Sequence, residues 1–256
     1  MDTREFETSF DVLYNSISSN KAPSLNSYEK SVFLTKAQDE IVKSYFFSSG
    51  EGLKGFDGNQ KRQIDFSYLL VNMAGTYDGT NVVPQIDHRS YIFKLPSNMQ
   101  ILFIVNEAIQ FVYNSGASVY ESRQVVPISY DEYTRLMQRP YKEPLKNQAW
   151  RLLHQRDETS ATPPVISHMA EIVLNSTDIE DYSLGDKSDL NVNGHMKYML
   201  RYVKRPRPII LTDLSTAYGP NLKIHGIQAE TQCELDESVH EEILQRAVEL
   251  AKATWA

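Results

Sequence analysis

The chain has 256 residues, of which 41% are hydrophobic and 11% aromatic, so it can bury a sizeable core as one large domain or two small ones. Its formal net charge of -7 argues against a dedicated nucleic-acid-binding protein, because such affinity depends chiefly on clustered lysine and arginine. The longest apolar stretch, residues 101–105, is far shorter than the roughly 20 residues that span a bilayer. Residues 1–7 are acidic and lack the features of a signal peptide. We therefore expect a soluble protein that is not exported.

Cysteine and histidine usage indicates no metal chemistry. Cys233 is the single cysteine, which excludes an internal disulfide and a multi-cysteine zinc site and fits a reducing cytoplasm. We expect it to be a small, buried or half-buried apolar residue. The six histidines are never three or four residues apart, so no helix face presents two of them to a metal. The sequence therefore predicts no metal site and no cofactor.

Two helices are predicted at the start of the chain. Apolar residues three and four apart predict a short helix over 8–18, and a longer one runs from an Asn26 cap, with Glu29 at its third position, to residue 47. The apolar stripe expected on the longer helix comprises Tyr28, Val32, Phe33, Ala37, Ile41, Val42 and Tyr45.

The sequence changes character after these helices. Four glycines make residues 48–60 a predicted loop, and residues 62–73 indicate a third short helix or a mixed segment. We place the change from helical to strand-like sequence near Gly75.

The middle of the chain is rich in strand-forming residues. Runs of Ile, Val, Phe and Tyr predict a β-meander, with strands at residues 91–95, 99–106, 108–113 and 120–126. Ser129 and Glu132 have capping-box spacing and predict a short helix at about 129–139. Further strands are predicted at residues 148–153, 165–175 and 196–203.

A final helix is predicted over residues 238–255. Ser238 and Glu241 have capping-box spacing, although Asp236 is a rival cap. The stripe expected to be buried comprises Val239, Ile243, Ala247, Leu250 and Ala251.

Together these elements predict an α+β fold with segregated helices and strands. Residues 1–75 and 236–256 would form a helical body, and residues 76–235 a β-rich middle that is meander- or sandwich-like.

Motifs for catalysis are absent from the sequence. It has no G-x-G-x-x-G, no Walker lysine motif, no G-x-S-x-G elbow and no H-E-x-x-H. The best remaining candidate for catalysis is one helical turn with three polar residues, His240, Glu241 and Glu242. We interpret this turn as a solvated face, because carboxylates are favourable near the N-terminus of a helix. We expect no catalytic residue.

One short segment has the composition of a nucleic-acid contact. Tyr202 precedes three cations, Lys204, Arg205 and Arg207. Three cations form only a small basic patch, and the net charge of the rest of the chain is negative, which does not favour binding phosphate. We interpret the segment as a surface loop or an inter-subunit contact, and take these four residues as candidate contacts between subunits or rings.

Several stretches of the sequence resemble neck proteins of crAss-like phages. They are FDVLYN at 10–15, YEKSVFLTKAQ at 28–38, KRQIDF at 61–66, VPI followed by DEY at 126–133, RPYKEP at 139–144 and RYVKRPRPII at 201–210. The run HEEILQRAVELA at 240–251 is similar to the last helix of short-tailed phage head-to-tail adaptors and tail-tube gatekeepers. Their order and spacing extend the resemblance over nearly the whole chain.

The resemblance implies a structural virion protein with no cofactor, a homo-oligomer that forms a ring of twelve below a twelve-fold portal. The implied partners are the phage portal protein, against which we place this ring, and further neck ring or tail proteins, with genomic DNA passing through the ring. Its location would be the virion neck at the portal vertex, after assembly in the host cytoplasm.

Two alternatives remain open at this stage. One is a particle-associated enzyme such as a cell-wall hydrolase, which needs a carboxylate pair or a His and Cys ligand set in a cleft. The other is an assembly adaptor that is absent from the finished particle.

Overall fold

The computed structural model describes most of the chain in two compact units. The described residues are 1–17, 23–47, 64–79, 86–96, 100–112, 120–139, 142–158, 165–185, 187, 192 and 194–254. We call residues 1–70 with 205–256 the helical unit, and residues 71–204 the barrel unit. The division expected from the sequence assigned 205–235 to the β-rich middle, whereas these residues group with the helices. The predicted loop 48–60 lies outside the described residues.

The described elements are six α-helices, seven strands and a 3-10 turn over Ser67–Leu69. The helices are α1 (Thr3–Ile17), α2 (Ser27–Phe47), α3 (Tyr130–Met137), α4 (Ser176–Asp181), α5 (Leu214–Tyr218) and α6 (Glu237–Ala253). The strands are β1 (Leu70–Tyr77), β2 (Ser90–Lys94), β3 (Ile101–Val112), β4 (Tyr120–Pro127), β5 (Gln148–Glu158), β6 (Val165–Val173) and β7 (Met196–Lys204).

Side-chain caps determine where the first two helices begin. The predicted box before α2 is confirmed, since Asn26 Oδ1 accepts from the Glu29 amide at 2.8 Å and Glu29 Oε2 accepts from the Asn26 amide at 2.9 Å. Helix α1 begins at Thr3 and not at residue 8, because Asp2 and Glu5 form the same reciprocal box. Its earlier start brings Phe6 into the core, where it is fully buried.

The caps of the later helices are also side-chain oxygens. Ser129 caps α3 as predicted, accepting from the Glu132 amide at 3.2 Å. At α6 the rival cap is the correct one, because Asp236 Oδ1 accepts from the Ser238 amide at 3.0 Å. Ser238 lies within the helix, so its prediction as the cap was wrong.

The buried face of α2 is partly polar, which the apolar stripe did not predict. Val32, assigned to the stripe, is 37% exposed, whereas Ser31, Thr35 and Gln38 are buried. These three side chains hydrogen-bond the backbone of residues 207–211, an extended segment of the same unit. Because this segment needs donors and acceptors, the part of α2 beside it is polar. Ala37, Ile41 and Val42 of the predicted stripe are buried as expected.

The seven strands of the barrel unit close in the order β1-β2-β6-β5-β4-β3-β7. The β4–β5 pair is parallel, and the registers of the other described pairs are antiparallel. The α+β class is correct, but the predicted meander or sandwich is a closed barrel. The connection through α3 returns the chain so that β5 runs parallel to β4, which a meander of hairpins does not allow.

The mixed segment predicted over residues 62–73 is present in the described residues 64–73, where a 3-10 turn over Ser67–Leu69 leads into strand β1 at Leu70. From Leu70 onward, alternate residues face the barrel interior, and Val71, Met73 and Tyr77 pack against its core. Gly75 shares that face, and a Cβ there would lie 2.9 Å from Cδ1 of Tyr198. The strand-like part of the sequence therefore begins before Gly75.

Strand β3 joins two strands that the sequence predicted separately, at residues 99–106 and 108–113. Its pairing with β7 shifts register between Ile101 and Phe103 and again between Ile104 and Asn106. A bulge of this kind lets a strand continue past a polar residue that would otherwise mark its end. Residues 99 and 113 lie outside the described part of the chain.

Candidate functional site

The basic segment at residues 202–207 is divided between the two units. Tyr202 is a buried residue of β7 in the barrel unit, and Lys204 is the half-buried last residue of that strand. Arg205 and Arg207 belong to the helical unit. Tyr202 therefore cannot offer its ring to a stacked base.

Arg205 is paired within its own unit. Its Nη2 lies 2.6 Å from Oδ2 of Asp39 on α2 and 3.1 Å from Nε2 of His225. Burial, together with the nearby Arg205 charge, lowers the pKa of His225. The imidazole is therefore neutral near pH 7, and its Nε2 can accept the hydrogen bond from the guanidinium.

Arg207 is paired as well, but it stays open to solvent. Its Nε lies 3.2 Å from Oε1 of Glu234, and its backbone amide donates to the other carboxylate oxygen at 3.2 Å. The side chain keeps 66% of its surface exposed. Both arginines therefore have their charge compensated inside the chain, which leaves little free positive charge for a phosphate.

His240 does not lie on a solvated face, contrary to the interpretation from the sequence. It is 4% exposed, with Nδ1 2.9 Å from the amino nitrogen of Met1, and its Nε2 donates to the Leu235 carbonyl at 3.1 Å. Burial lowers the pKa of His240, which keeps the ring neutral. Glu241 and Glu242 are exposed as expected. The His240 side chain thus anchors the start of α6 to Met1 and to the Leu235 carbonyl.

A chain of polar groups that the sequence did not reveal runs along the barrel unit. Nε2 of His154 on β5 lies 2.6 Å from Oε2 of Glu171 on β6, and Nδ1 lies 2.5 Å from the hydroxyl of Tyr130 on α3. Glu171 is fully buried and also accepts from the Ser90 hydroxyl and, at 2.7 Å, from the Ile86 amide. The residues lie on separate elements, so no local spacing could reveal them.

The chemistry of this group suits a structural tie better than a catalyst. Burial alone would raise the pKa of Glu171, but hydrogen bonds from His154, Ser90 and the Ile86 amide outweigh it and lower that pKa. Burial, with the nearby Glu171 charge, raises the pKa of Tyr130 to about 12, so the phenol keeps its proton at neutral pH. Ser90 donates to the Glu171 carboxylate and not to the imidazole, and a carboxylate with a lowered pKa is a weak base for activating a nucleophile.

Two further ion pairs lie inside the barrel unit. Nε of Arg151 is 2.9 Å from Oε2 of Glu107, although the Nε–H of Arg151 is not directed at that oxygen. Burial raises the pKa of Glu107, and the nearby Arg151 charge only partly offsets this effect. Nη2 of Arg123 is 3.1 Å from Oδ1 of the fully buried Asp178. Removing either arginine would leave a buried carboxylate without its ion-pair partner, so both pairs are structural.

Metal-ligating side chains are dispersed in the described part of the chain. No cluster of three or more His, Cys, Asp and Glu side chains there could hold a metal ion. Cys233 is half-buried as predicted, and burial raises the pKa of its thiol to about 11, which keeps it protonated. None of the described helices has the length and apolar character of a membrane span.

Comparison with known proteins places this chain among phage proteins. The family model for phage tail ring protein 3/4 matches residues 1–256. Ring protein 4/5 of Bacteroides phage crAss001 is 44% identical over 257 residues, covering 100% of this chain and 94% of that protein. Ring protein 3 of the same phage is 29% identical over 256 residues, covering 98% of this chain and 95% of that protein. The chain belongs to the phage tail ring protein 3/4 family of crAss-like phages.

Proposed function

We propose that this chain is a non-catalytic subunit of the virion that closes into a ring of twelve in the neck, between capsid and tail. The observation that carries the proposal is the 44% identity with ring protein 4/5 of crAss001 along the whole chain. The number twelve follows from the twelve-fold portal implied by the resemblance, because stacked rings favour matching symmetry. At 29.3 kDa per chain, such a ring has a mass of about 350 kDa.

The names of the two relatives, ring protein 3 and ring protein 4/5, support a stack of several rings. The proposed partners are therefore other ring or tail proteins as direct neighbours, with the portal at the head of the stack. Genomic DNA would pass through the ring. The net charge of -7 suits that role, since an acidic channel does not hold DNA.

Of the four candidate contact residues, Arg207 fits an inter-subunit role best. Its side chain is 66% exposed, so it can exchange Glu234 for a carboxylate of a neighbour, whereas Tyr202 is buried and Arg205 is held by Asp39. Arg207→Ala should change monomer stability by less than about 1 kcal/mol and lower the number of copies per particle. The matched control is Lys223→Ala, an exposed cation of the same unit, which should change neither.

The absence of catalysis is tested on the pure protein. Cell-wall, phosphoester and nucleotide turnover should stay at background, because the Tyr130, His154 and Glu171 group lacks an activated nucleophile. A turnover rate that His154→Ala abolishes would overturn this part of the proposal.

Electron microscopy of purified particles, with a mass-spectrometric inventory of their proteins, tests the ring. We expect density for this chain at the neck, with about twelve copies per particle. Six or fifteen copies would contradict the stoichiometry. Density confined to the capsid shell, or absence from the particle, would contradict the function and favour an assembly adaptor.

A further inference from the structure

The hairpin of β5 and β6 extends beyond the strands that flank it. The two strands stay paired out to Glu158 opposite Val165. Strand β4 flanks β5 only as far as Arg151, and β2 flanks β6 only from Met169 onward. Within the described residues, the outer part of the hairpin therefore has no strand on either side. We call this part, residues 152–158 with 165–168, the arm.

The long open edge of the arm belongs to β5. The Ile128 amide donates to the Arg151 carbonyl at 3.0 Å, so Arg151 turns its backbone groups toward β4. In a strand, the backbone N–H and C=O groups of every second residue point to the same edge. Those of Leu153, Gln155 and Asp157 therefore point to the same edge as those of Arg151, but beyond the end of β4. No described residue hydrogen-bonds their backbone. Within the described part of the chain, these three residues thus present a row of N–H and C=O groups that no backbone group pairs with.

The edge of β6 is far shorter. The Leu95 amide donates to the His168 carbonyl at 2.9 Å, so this edge is covered up to residue 168. The open edge of β6 therefore comprises only residues 165–167, whereas the open edge of β5 lies within residues 152–158. An added strand would therefore find most of its backbone partners on β5.

The base of the arm is fixed to the barrel. His154 of β5 and the fully buried Glu171 of β6 lie 2.6 Å apart, and Glu171 is held in turn by the Ile86 amide at 2.7 Å. A fixed base gives the open edge a defined direction. Such an edge pays a smaller ordering cost when a partner binds than a flexible segment does.

We propose that the open edge of β5, from Leu153 to Asp157, is a strand-addition site for a second copy of this chain. Unpaired strand edges are templates for pairing with another chain, and natural proteins protect or occupy them. Membership of a ring protein family supplies the partner, because a ring places identical copies side by side through heterologous contacts, which join two different surfaces. Closure of the ring then occupies this edge in every copy. The inference rests on the proposed ring function.

A proline substitution tests the edge. Gln155→Pro removes one outward N–H and leaves the β5–β6 hydrogen bonds intact, which an edge position tolerates. Its control is Gln155→Ala, which shortens the side chain and keeps the N–H. We expect both variants to fold with unchanged far-ultraviolet circular dichroism, and only Gln155→Pro to lower incorporation into particles, by about tenfold.

Hydrogen exchange on the unmodified chain tests the same edge without a variant. The amides of Leu153, Gln155 and Asp157 should exchange at least about tenfold more slowly in purified particles than in the free chain. The amides of Leu152 and His154, which face β6, should already be protected in the free chain. Cross-linking of particles assembled from mixed light and heavy-nitrogen copies identifies the neighbour, since only inter-copy links join the two labels.

The outcomes separate this inference from the proposed function. A full ring with Gln155→Pro, or with the three amides exchanging as in the free chain, would overturn the strand-addition site and leave the ring role standing. Cross-links from the arm only to a different virion protein would also overturn it. Absence of the unmodified chain from particles would overturn both.

Discussion

The packing of α6 predicts a graded response at Ile243, which is fully buried in the helical unit. Ile243→Val removes one methylene and should cost about 0.5–1.5 kcal/mol, whereas Ile243→Ala should cost about 2–5 kcal/mol through lost burial and the cavity left behind. Ile243→Asp adds an unpaired carboxylate at an apolar contact and should cost more than either. Since a domain is stable by only about 5–15 kcal/mol, the aspartate variant should be largely unfolded or fail to assemble.

Urea unfolding followed by circular dichroism measures the series, with the slope of each transition compared to confirm that the same surface unfolds. Glu241→Gln is the matched control, because Glu241 is exposed on the same helix and should shift the unfolding free energy by less than about 0.5 kcal/mol. If the valine, alanine and aspartate variants agreed with one another and with Glu241→Gln, α6 could not be packed through Ile243.

Two further predictions concern the barrel unit. Burial opposes ionisation of Asp87, but hydrogen bonds from Arg89 and Tyr133 outweigh it and lower the pKa of Asp87 to about 2. The ionised carboxylate should therefore contribute about 2 kcal/mol to the free energy of unfolding. This contribution should be complete above about pH 4 and should be lost as the pH falls through about 2. Asp87→Asn should flatten that part of the urea-midpoint profile, and an unchanged profile would show that Asp87 is not the group responsible. Gly75→Ala places a Cβ 2.9 Å from a ring carbon of Tyr198 and should lower the unfolding free energy by about 1–3 kcal/mol, so an alanine variant as stable as the parent would contradict the close approach.

Local hydrogen bonds were the most predictable part of this fold. The boxes at Asn26 and Ser129 involve side chains and amides three residues apart, so residue type and spacing were sufficient to find them. At α6, Asp236 and Ser238 both have cap chemistry, and the choice depends on Asp65, which accepts from the Ser238 hydroxyl at 2.8 Å. Asp65 is distant in sequence, so spacing alone could not decide between the two caps.

Burial and closure depend on distant partners, which local patterns do not show. His240 looked solvated because its helical neighbours are acidic, yet the Leu235 carbonyl and the Phe6 ring enclose it. The strand runs of the middle were visible, but the closed order of seven strands depends on pairings far apart in sequence. The same limit hid the tie between His154 and Glu171, whose residues gain a role only when α3, β5 and β6 meet.

The way this chain pairs its charges bears on how a ring of its copies can hold together. Among the described residues, five arginines lie within about 3 Å of an acid of their own unit, namely Arg89, Arg123, Arg151, Arg205 and Arg246. Charges compensated in this way offer little to a neighbour, and contacts between exposed charges weaken as salt screens them. Backbone pairing at a strand edge does not depend on net charge. A ring joined through the β5 edge should therefore stay closed in about 1 M salt, where the screening length is about 3 Å, whereas a ring joined through exposed cations such as Arg207 should open.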